Sequence, residues 1–204
     1  VISFSGVDGS GKSTLAERTF EYLRGKGIDA VKLEVYAGST FLSIGRAIGR
    51  LSRGFKENLE SKVSRAKRNA NPLVKWARVF CFRIDVARFK KKSRALERKG
   101  VLPVCDRYLY DTLVHLKYLK VIGDKEYDKL FKAIPRPEVS FLLHLDSASA
   151  KDREGQHDSV DYYAEKVKLY EGLAGKTDLV EIDSSPGRDV VWENVKNVID
   201  SKFI

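Results

Sequence analysis

The chain has 204 residues, 43% of them hydrophobic and 32% charged, with a formal charge of +10. At ~100–200 residues per domain this length suits one compact domain, or one with a small insertion. The apolar content excludes wholesale disorder, and no apolar run approaches the ~20 residues that span a bilayer.

Val1 to Ser5 is a short β-type run, and the Gly-rich stretch Gly6 to Ser13 follows it. No Met occurs in the chain and Val1 already reads as strand, so the natural start is expected to lie upstream or to have been trimmed. Thr14 to Arg24 has helical spacing with Leu15, Phe20 and Leu23 on one side, closed by Gly25 and Gly27. Ala30 to Val35 alternates like a strand. Residues 39–54 read as a basic helix carrying Phe41, Leu42, Ile44, Ile48 and Leu51, and residues 56–70 are polar. After Pro72 a long helix is predicted from Leu73 to about Arg98, ended by Gly100. Val101 to Cys105 is a buried-type strand delivering Asp106 at its carboxyl end. Helices follow near Asp111–Leu119 and Lys125–Ala133, then an apolar strand, Val139 to Leu145. The small, polar stretch 147–157 precedes a helix from Val160 to Leu173, a strand at Leu179–Ile182 and a last helix from Arg188 to Ile199. Strands alternating with helical crossovers predict an α/β fold, a parallel sheet covered on both faces. No repeat or interdomain linker interrupts residues 1–204, so a single domain is expected.

Charge is uneven along the chain. Residues 46–99 hold 18 Lys/Arg against 4 Asp/Glu, a net of +14, and the remainder is net −4. Such a segment attracts anions such as nucleotides, nucleic acid or acidic lipid, or is a set of solvated helix faces. Cys81 and Cys105 are too few for a disulfide framework and read as core thiols in a reducing compartment. With no signal peptide visible, the expected location is cytoplasmic, with no membrane partner. His115, His144 and His157 lack metal-ligand spacing, which argues against a zinc site.

Gly6-Val7-Asp8-Gly9-Ser10-Gly11-Lys12-Ser13 fits G-x-x-x-x-G-K-[ST], with a strand before it and a helix after it. Such glycines let successive N–H groups curl around a phosphate, and the helix N-terminus adds partial positive charge. Lys12 can then reach the β- and γ-phosphates, and the Ser13 hydroxyl can hold Mg²⁺. Asp106, at the end of its strand, can contact the metal or its water shell. Ligands of open α/β sheets bind at the carboxyl ends of strands, which puts Asp8 and Asp106 near one crevice. Tyr108, Tyr110 and Asp111 lie just past that strand end. Asp111 is either a hydrogen-bond acceptor for a substrate hydroxyl or the N-cap of the next helix.

The loop, the triplet Asp106-Arg107-Tyr108 and the strand Phe141-Leu-Leu-His-Leu-Asp146 together resemble thymidylate kinases, over nearly the whole chain. Ile2 to Thr14 resembles that family's first strand and loop, Asp106-Arg-Tyr108 its D-R-Y/H signature, and Tyr162 to Tyr170 the helix after its lid. The resemblance implies a three-layer αβα P-loop NTPase fold with five parallel strands, a basic helical acceptor side at 39–99 and a short lid at 147–158. It implies ATP and Mg²⁺ as cofactors, a homodimer, and transfer of the γ-phosphoryl group of Mg-ATP to a nucleoside monophosphate, dTMP foremost. Carried over, Gly6 to Ser13 with Thr14 would bind ATP, and Asp8 would face the acceptor sugar or its metal. Arg107 would clamp the acceptor phosphate, which suits a guanidinium fork. Arg153, in the lid-like segment, would stabilise the transferring phosphoryl group. Phe80, Phe82, Arg83 and Arg88 are the residue types that read the base, although their register does not match the family's, and Tyr108 and Asp111 complete the acceptor side. Glu34-Val-Tyr-Ala-Gly-Ser-Thr40 lacks the family's P-G-G-T pattern, and Leu109-Tyr-Asp-Thr112 replaces its small-residue run. Two other readings therefore stay open: a P-loop kinase of a small-molecule hydroxyl, with Asp8, Asp106 or Asp111 as base, and a nucleotide-binding module acting with nucleic acid.

Overall fold

The structure, a computed structural model, describes residues 1–35, 71–154 and 160–204. The expected helix at 39–54, the stretch Tyr36–Thr40, the polar residues 56–70 and the lid positions 155–158 lie outside the described residues.

In chain order the elements are β1 (Ile2–Gly6), α1 (Lys12–Gly25), β2 (Ala30–Glu34), α2 (Pro72–Glu97), β3 (Leu102–Asp106), α3 (Leu109–Tyr118), α4 (Asp124–Ala133), β4 (Val139–His144), α5 (Ser147–Glu154), α6 (Val160–Ala174), β5 (Val180–Asp183) and α7 (Arg188–Phe203). The five strands form one sheet in the order β2-β3-β1-β4-β5, with every pair parallel. The expected three-layer fold is therefore present. β1 is buried along its whole length and bonded on both sides, Phe4 facing Asp106 on β3 and Phe141 on β4. Those two phenylalanines stack at 5.0 Å. A strand buried on both faces reads as continuously apolar, and β1 meets this with its two serines satisfied internally. Ser3 Oγ lies 2.8 Å from Ser140 Oγ, and Ser5 Oγ donates to Asp111 Oδ2 at 2.7 Å.

One core layer packs Ile2, Phe4 and Val104 against Leu15 and Leu23 of α1 and Trp192, Val195 and Ile199 of α7. The opposite layer packs Cys105 and Leu142 under Phe82, Val86 and Phe89 of α2, the apolar side of α3, and Tyr163, Tyr170 and Leu173 of α6. Both cysteines are buried free thiols. α2 starts where Asn71 accepts the Leu73 N–H at 2.9 Å with Pro72 in the first turn, a position where the missing Pro donor costs nothing. Among the described residues no helix is long and apolar enough to cross a membrane.

Candidate active site

The loop from Gly6 to Ser13 leaves β1 at the carboxyl edge of the sheet. Gly6 has φ +144°, and a Cβ there would lie 2.6 Å from the Leu143 carbonyl oxygen on β4. Gly11, at φ +92°, is the N-cap of α1, with no side-chain cap and no acidic residue in the first turn. The first amides of α1 are thus left for a ligand anion. The Lys12 side chain is buried and folds back over the loop, donating to Val7 O at 2.5 Å and Ser10 Oγ at 3.4 Å. Burial, with the charge of Arg107, lowers its pKa to about 8, against the opposing pull of Asp111, Asp8 and Asp106. At neutral pH the ammonium stays charged.

Arg107 follows β3 with φ +67°, a left-handed conformation that costs a non-glycine residue ~1–3 kcal/mol and persists where its surroundings fix it. Its Nη2 donates to Asp8 Oδ1 at 2.7 Å. The other Asp8 oxygen accepts from Lys166 Nζ at 3.2 Å and Tyr162 Oη at 3.4 Å, both on α6. Burial alone would raise the Asp8 pKa, but Lys166, Arg107 and Lys12 overcome it and hold the carboxyl well below the usual range. Burial likewise works against charge on Arg107, and Asp8 outweighs it. His115 on α3 faces the same cluster. Burial, then the charges of Lys166 and Arg78, push its pKa to about 4, so the imidazole is neutral. Positive charge dominates this side of the crevice.

A cleft of about 600 Å³ joins the loop to the rest of the site. Its walls include Gly9 to Leu15, Arg18, Arg107, Arg153 and the Ser184–Arg188 turn. Arg153 Nη1 donates to Ser184 O at 2.9 Å and Nη2 to Ser185 O at 3.4 Å, tying α5 to the β5–α7 turn. Arg18 sits 5.1 Å over the Trp192 ring and 3.0 Å from Asp189. Asp106 Oδ1 is buried with no hydrogen-bond partner among the described residues, and its charge is felt by Lys12. The Ser13 side chain is exposed at the start of α1. An orphaned carboxylate oxygen at the end of β3 and an exposed hydroxyl on the phosphate loop fit a hydrated Mg²⁺, which takes few protein ligands and keeps its waters.

The structure thus brings the predicted Lys12, Ser13, Arg107 and Arg153 to one cleft, with Asp8 bonded to Arg107 and Asp106 within electrostatic reach of Lys12, although these positions span more than two thirds of the chain. Other predicted acceptor residues are placed elsewhere. The Tyr108 ring is fully buried between Phe89 and Tyr110, its hydroxyl donating to Pro135 O at 2.7 Å. Phe82 is buried in the same layer. These two are core residues, because Phe82, Val86 and Phe89 form the inward stripe of α2. Phe80 stacks on Trp76 at 5.2 Å on the exposed side of that helix, and Arg83 pairs with Glu126 at 2.8 Å. Arg88 is exposed on α2. Asp111 is 4% exposed, and its oxygens accept from four protein donors, leaving no opening for a substrate hydroxyl; nor is it the N-cap of α3, a place taken by Tyr108 with Asp111 at the third helical position.

From the sequence, Lys166, Tyr162, His115, Arg18 and the Ser184–Arg188 turn carry no expected role in the site. One signal was available: Tyr162, Lys166 and Tyr170 recur at i+4 spacing, which puts three hydrogen-bonding groups on one face of α6. Nothing local marks His115, whose surroundings come from other elements.

A sequence model of the thymidylate kinase family matches residues 4–183. A probable thymidylate kinase of Sulfurisphaera tokodaii is 25% identical, covering 98% of this chain and 95% of its own length. A thymidylate kinase of Caldicellulosiruptor saccharolyticus is 27% identical over 98% and 95% of the two chains. A probable thymidylate kinase of Pyrococcus abyssi reaches 30% identity over 71% of this chain and 64% of its own.

Proposed function

We propose that this chain, which belongs to the thymidylate kinase family, transfers the γ-phosphoryl group of Mg-ATP to dTMP, giving ADP and dTDP. The observation that carries this reading is the single crevice where the phosphate loop, Arg107 and Arg153 converge. Lys12 and the uncapped amides of α1 bind the β- and γ-phosphates of the donor. Arg107 takes the acceptor phosphate in its fork, exchanging its contact with Asp8, whose second oxygen keeps Lys166. Asp8 then faces the acceptor sugar. A phosphate oxygen of the acceptor attacks the γ-phosphorus, the bond to the β-γ bridging oxygen breaks, and ADP leaves with the electron pair. Lys12, Arg107 and Arg153 neutralise charge on the transferring group, which with in-line positioning is most of what phosphoryl transfer asks of a protein. Ser13 and, through water, Asp106 would hold Mg²⁺, which supplies further neutralisation of the phosphate charge when bound.

The hydroxyl-kinase alternative requires a general base. Asp8, with three cations lowering its pKa, is a poor proton acceptor at neutral pH, Asp111 has no free oxygen, and Asp106 is the carboxylate this reading gives to Mg²⁺. A monophosphate brings its own nucleophile and needs none of them. The test is ADP release with Mg²⁺ across nucleoside monophosphates, deoxynucleosides and hydroxyl metabolites. Selective turnover of dTMP supports the proposal. Turnover of a hydroxyl compound alone refutes it.

A further inference from the structure

Asp111 is an ionisable side chain inside the protein that faces neither donor nor acceptor, and its partners are informative. Oδ2 accepts from Ser5 Oγ at 2.7 Å and from the Tyr108 amide at 2.8 Å. Oδ1 accepts from Tyr170 Oη at 2.8 Å and from the Gly6 amide at 3.4 Å. Ser5 and Gly6 are the last residues of β1 and the start of the phosphate loop. Tyr108 directly follows Arg107, whose left-handed φ of +67° must be imposed from outside. Asp111 is the third residue of α3, and its bond from the Tyr108 amide closes the capping box of that helix; a helix start alone needs no buried charge, because a neutral Gln at that position closes the same box without the desolvation cost of a carboxylate. One oxygen of this carboxylate grips both the end of β1 and the residue after Arg107. The strand end is independently held, since Gly6 pairs with Leu143 in the sheet. Arg107 lies beyond the last residue of β3 and has no such ladder.

We propose that Asp111 is a positioning residue of the transfer site, fixing the turn that aims Arg107 across the crevice from the phosphate loop. The donor half keeps its geometry through β1, so the carboxylate acts on the acceptor half. The charged groups sensing Asp111 are Lys12 of α1 and Arg107, both cations of the site. The kinetic expectation rests on the dTMP reading above, whereas the structural expectation does not.

The test is Asp111→Asn, which keeps the side chain's size but turns one acceptor oxygen into a donor. A crystal structure of the variant should show Arg107 out of hydrogen-bond reach of Asp8 and its φ displaced from the left-handed region. With dTMP as acceptor, kcat/KM should fall ~10²-fold, the cost of an ångström-scale misplacement, while KM for ATP stays within ~3-fold. Both are measured well below the variant's melting temperature. A variant with Arg107 still on Asp8, or one with ATP and dTMP parameters falling together, overturns the proposal. If wild type does not use dTMP but Arg107 moves in the variant, the substrate reading fails and the positioning role stands. Should Asp111→Asn not fold, Ser5→Ala removes the second donor from the oxygen that holds Tyr108. It should reduce dTMP kcat/KM at least 3-fold and displace Arg107, and an unmoved Arg107 refutes the role.

Discussion

Replacing Gly6 by alanine tests the placement of the phosphate loop more sharply than removing any of its side chains. The new Cβ would lie 2.6 Å from the Leu143 carbonyl oxygen and 3.1 Å from Ser10 Oγ, at a φ of +144°. The first neighbour is backbone of β4 and cannot swing away. Holding that φ with a side chain costs ~1–3 kcal/mol, and relieving the overlap costs a further ~1–3 kcal/mol. A total of about 4 kcal/mol at ~2–4 °C per kcal/mol for a chain of this size predicts a melting temperature lower by roughly 10 °C. Gly11→Ala is the control, because a Cβ there meets nothing within 4 Å. Only the backbone cost of its φ of +92° remains, about 2 kcal/mol and roughly 5 °C. Gly6 is in register with Leu143, so relief of its clash opens the β1–β4 spacing at the point where the loop begins. Turnover should fall ~10²-fold for Gly6→Ala and less for Gly11→Ala. Thermal melts and initial rates on the two variants, side by side, decide it. A Gly6→Ala protein as stable and active as Gly11→Ala would mean the loop does not leave the sheet as described.

Lys12→Ala should lower phosphoryl transfer by ~10²-fold or more, the scale of one preorganised charge contact, and unchanged turnover would remove the loop from the chemistry. Arg107→Ala should raise KM for the acceptor while ATP binding, measured by titration calorimetry, stays near wild type. Loss of ATP affinity instead would assign Arg107 to the donor. Stability should depend on His115 below neutrality. Its folded pKa of about 4 lies under the ordinary 6.5, so the unfolded chain takes a proton that the folded one refuses. That contribution is complete above pH 6.5 and is lost as pH falls towards 4, by at most roughly 3 kcal/mol. Urea unfolding at pH 7 and pH 4.5 should show His115→Gln losing less stability over this interval than wild type. Finally, Arg88, Lys91, Lys92, Arg94, Arg98 and Lys99 are exposed on and just after α2. If this face binds nucleic acid, affinity for single-stranded DNA should fall steeply with salt, and no binding at low salt would make it a solvated face.

The strands were readable because a buried parallel sheet writes itself as apolar runs between glycines, prolines and charges. β1, β3 and β4 sit within about a residue of where the sequence pattern places them, and α2 begins at Pro72 and ends at Glu97, just before Gly100. The phosphate loop was readable because its parts are contiguous. The rest of the site depends on contacts between distant segments. Lys166 looks like any lysine on an amphipathic helix until α6 lays it against Asp8, 158 positions away. The D-R-Y triplet invites placing all three side chains in the crevice, yet the left-handed residue at Arg107 turns the backbone between them. Arg107 faces Asp8 and Tyr108 enters the core. Phe80 and Phe82, two residues apart on one helix, necessarily point to different sides, and the aromatic count of that segment could not tell which side was inward.

The central position of β1 sets how the crevice responds to heat. Its amides and carbonyls are engaged by strands on both sides, so they can exchange with solvent only when the sheet itself opens, the costliest excursion available to the molecule. The phosphate loop is mounted on that strand. Arg153, by contrast, reaches the crevice from an eight-residue helix and is fastened there by two carbonyl oxygens of a turn. The two walls of the donor cleft therefore have different lifetimes. In a hydrogen-exchange experiment β1 should be among the last elements to lose protection while α5 exchanges early. On warming, the guanidinium wall loosens while the phosphate cradle is still intact, and nucleotide affinity outlasts turnover.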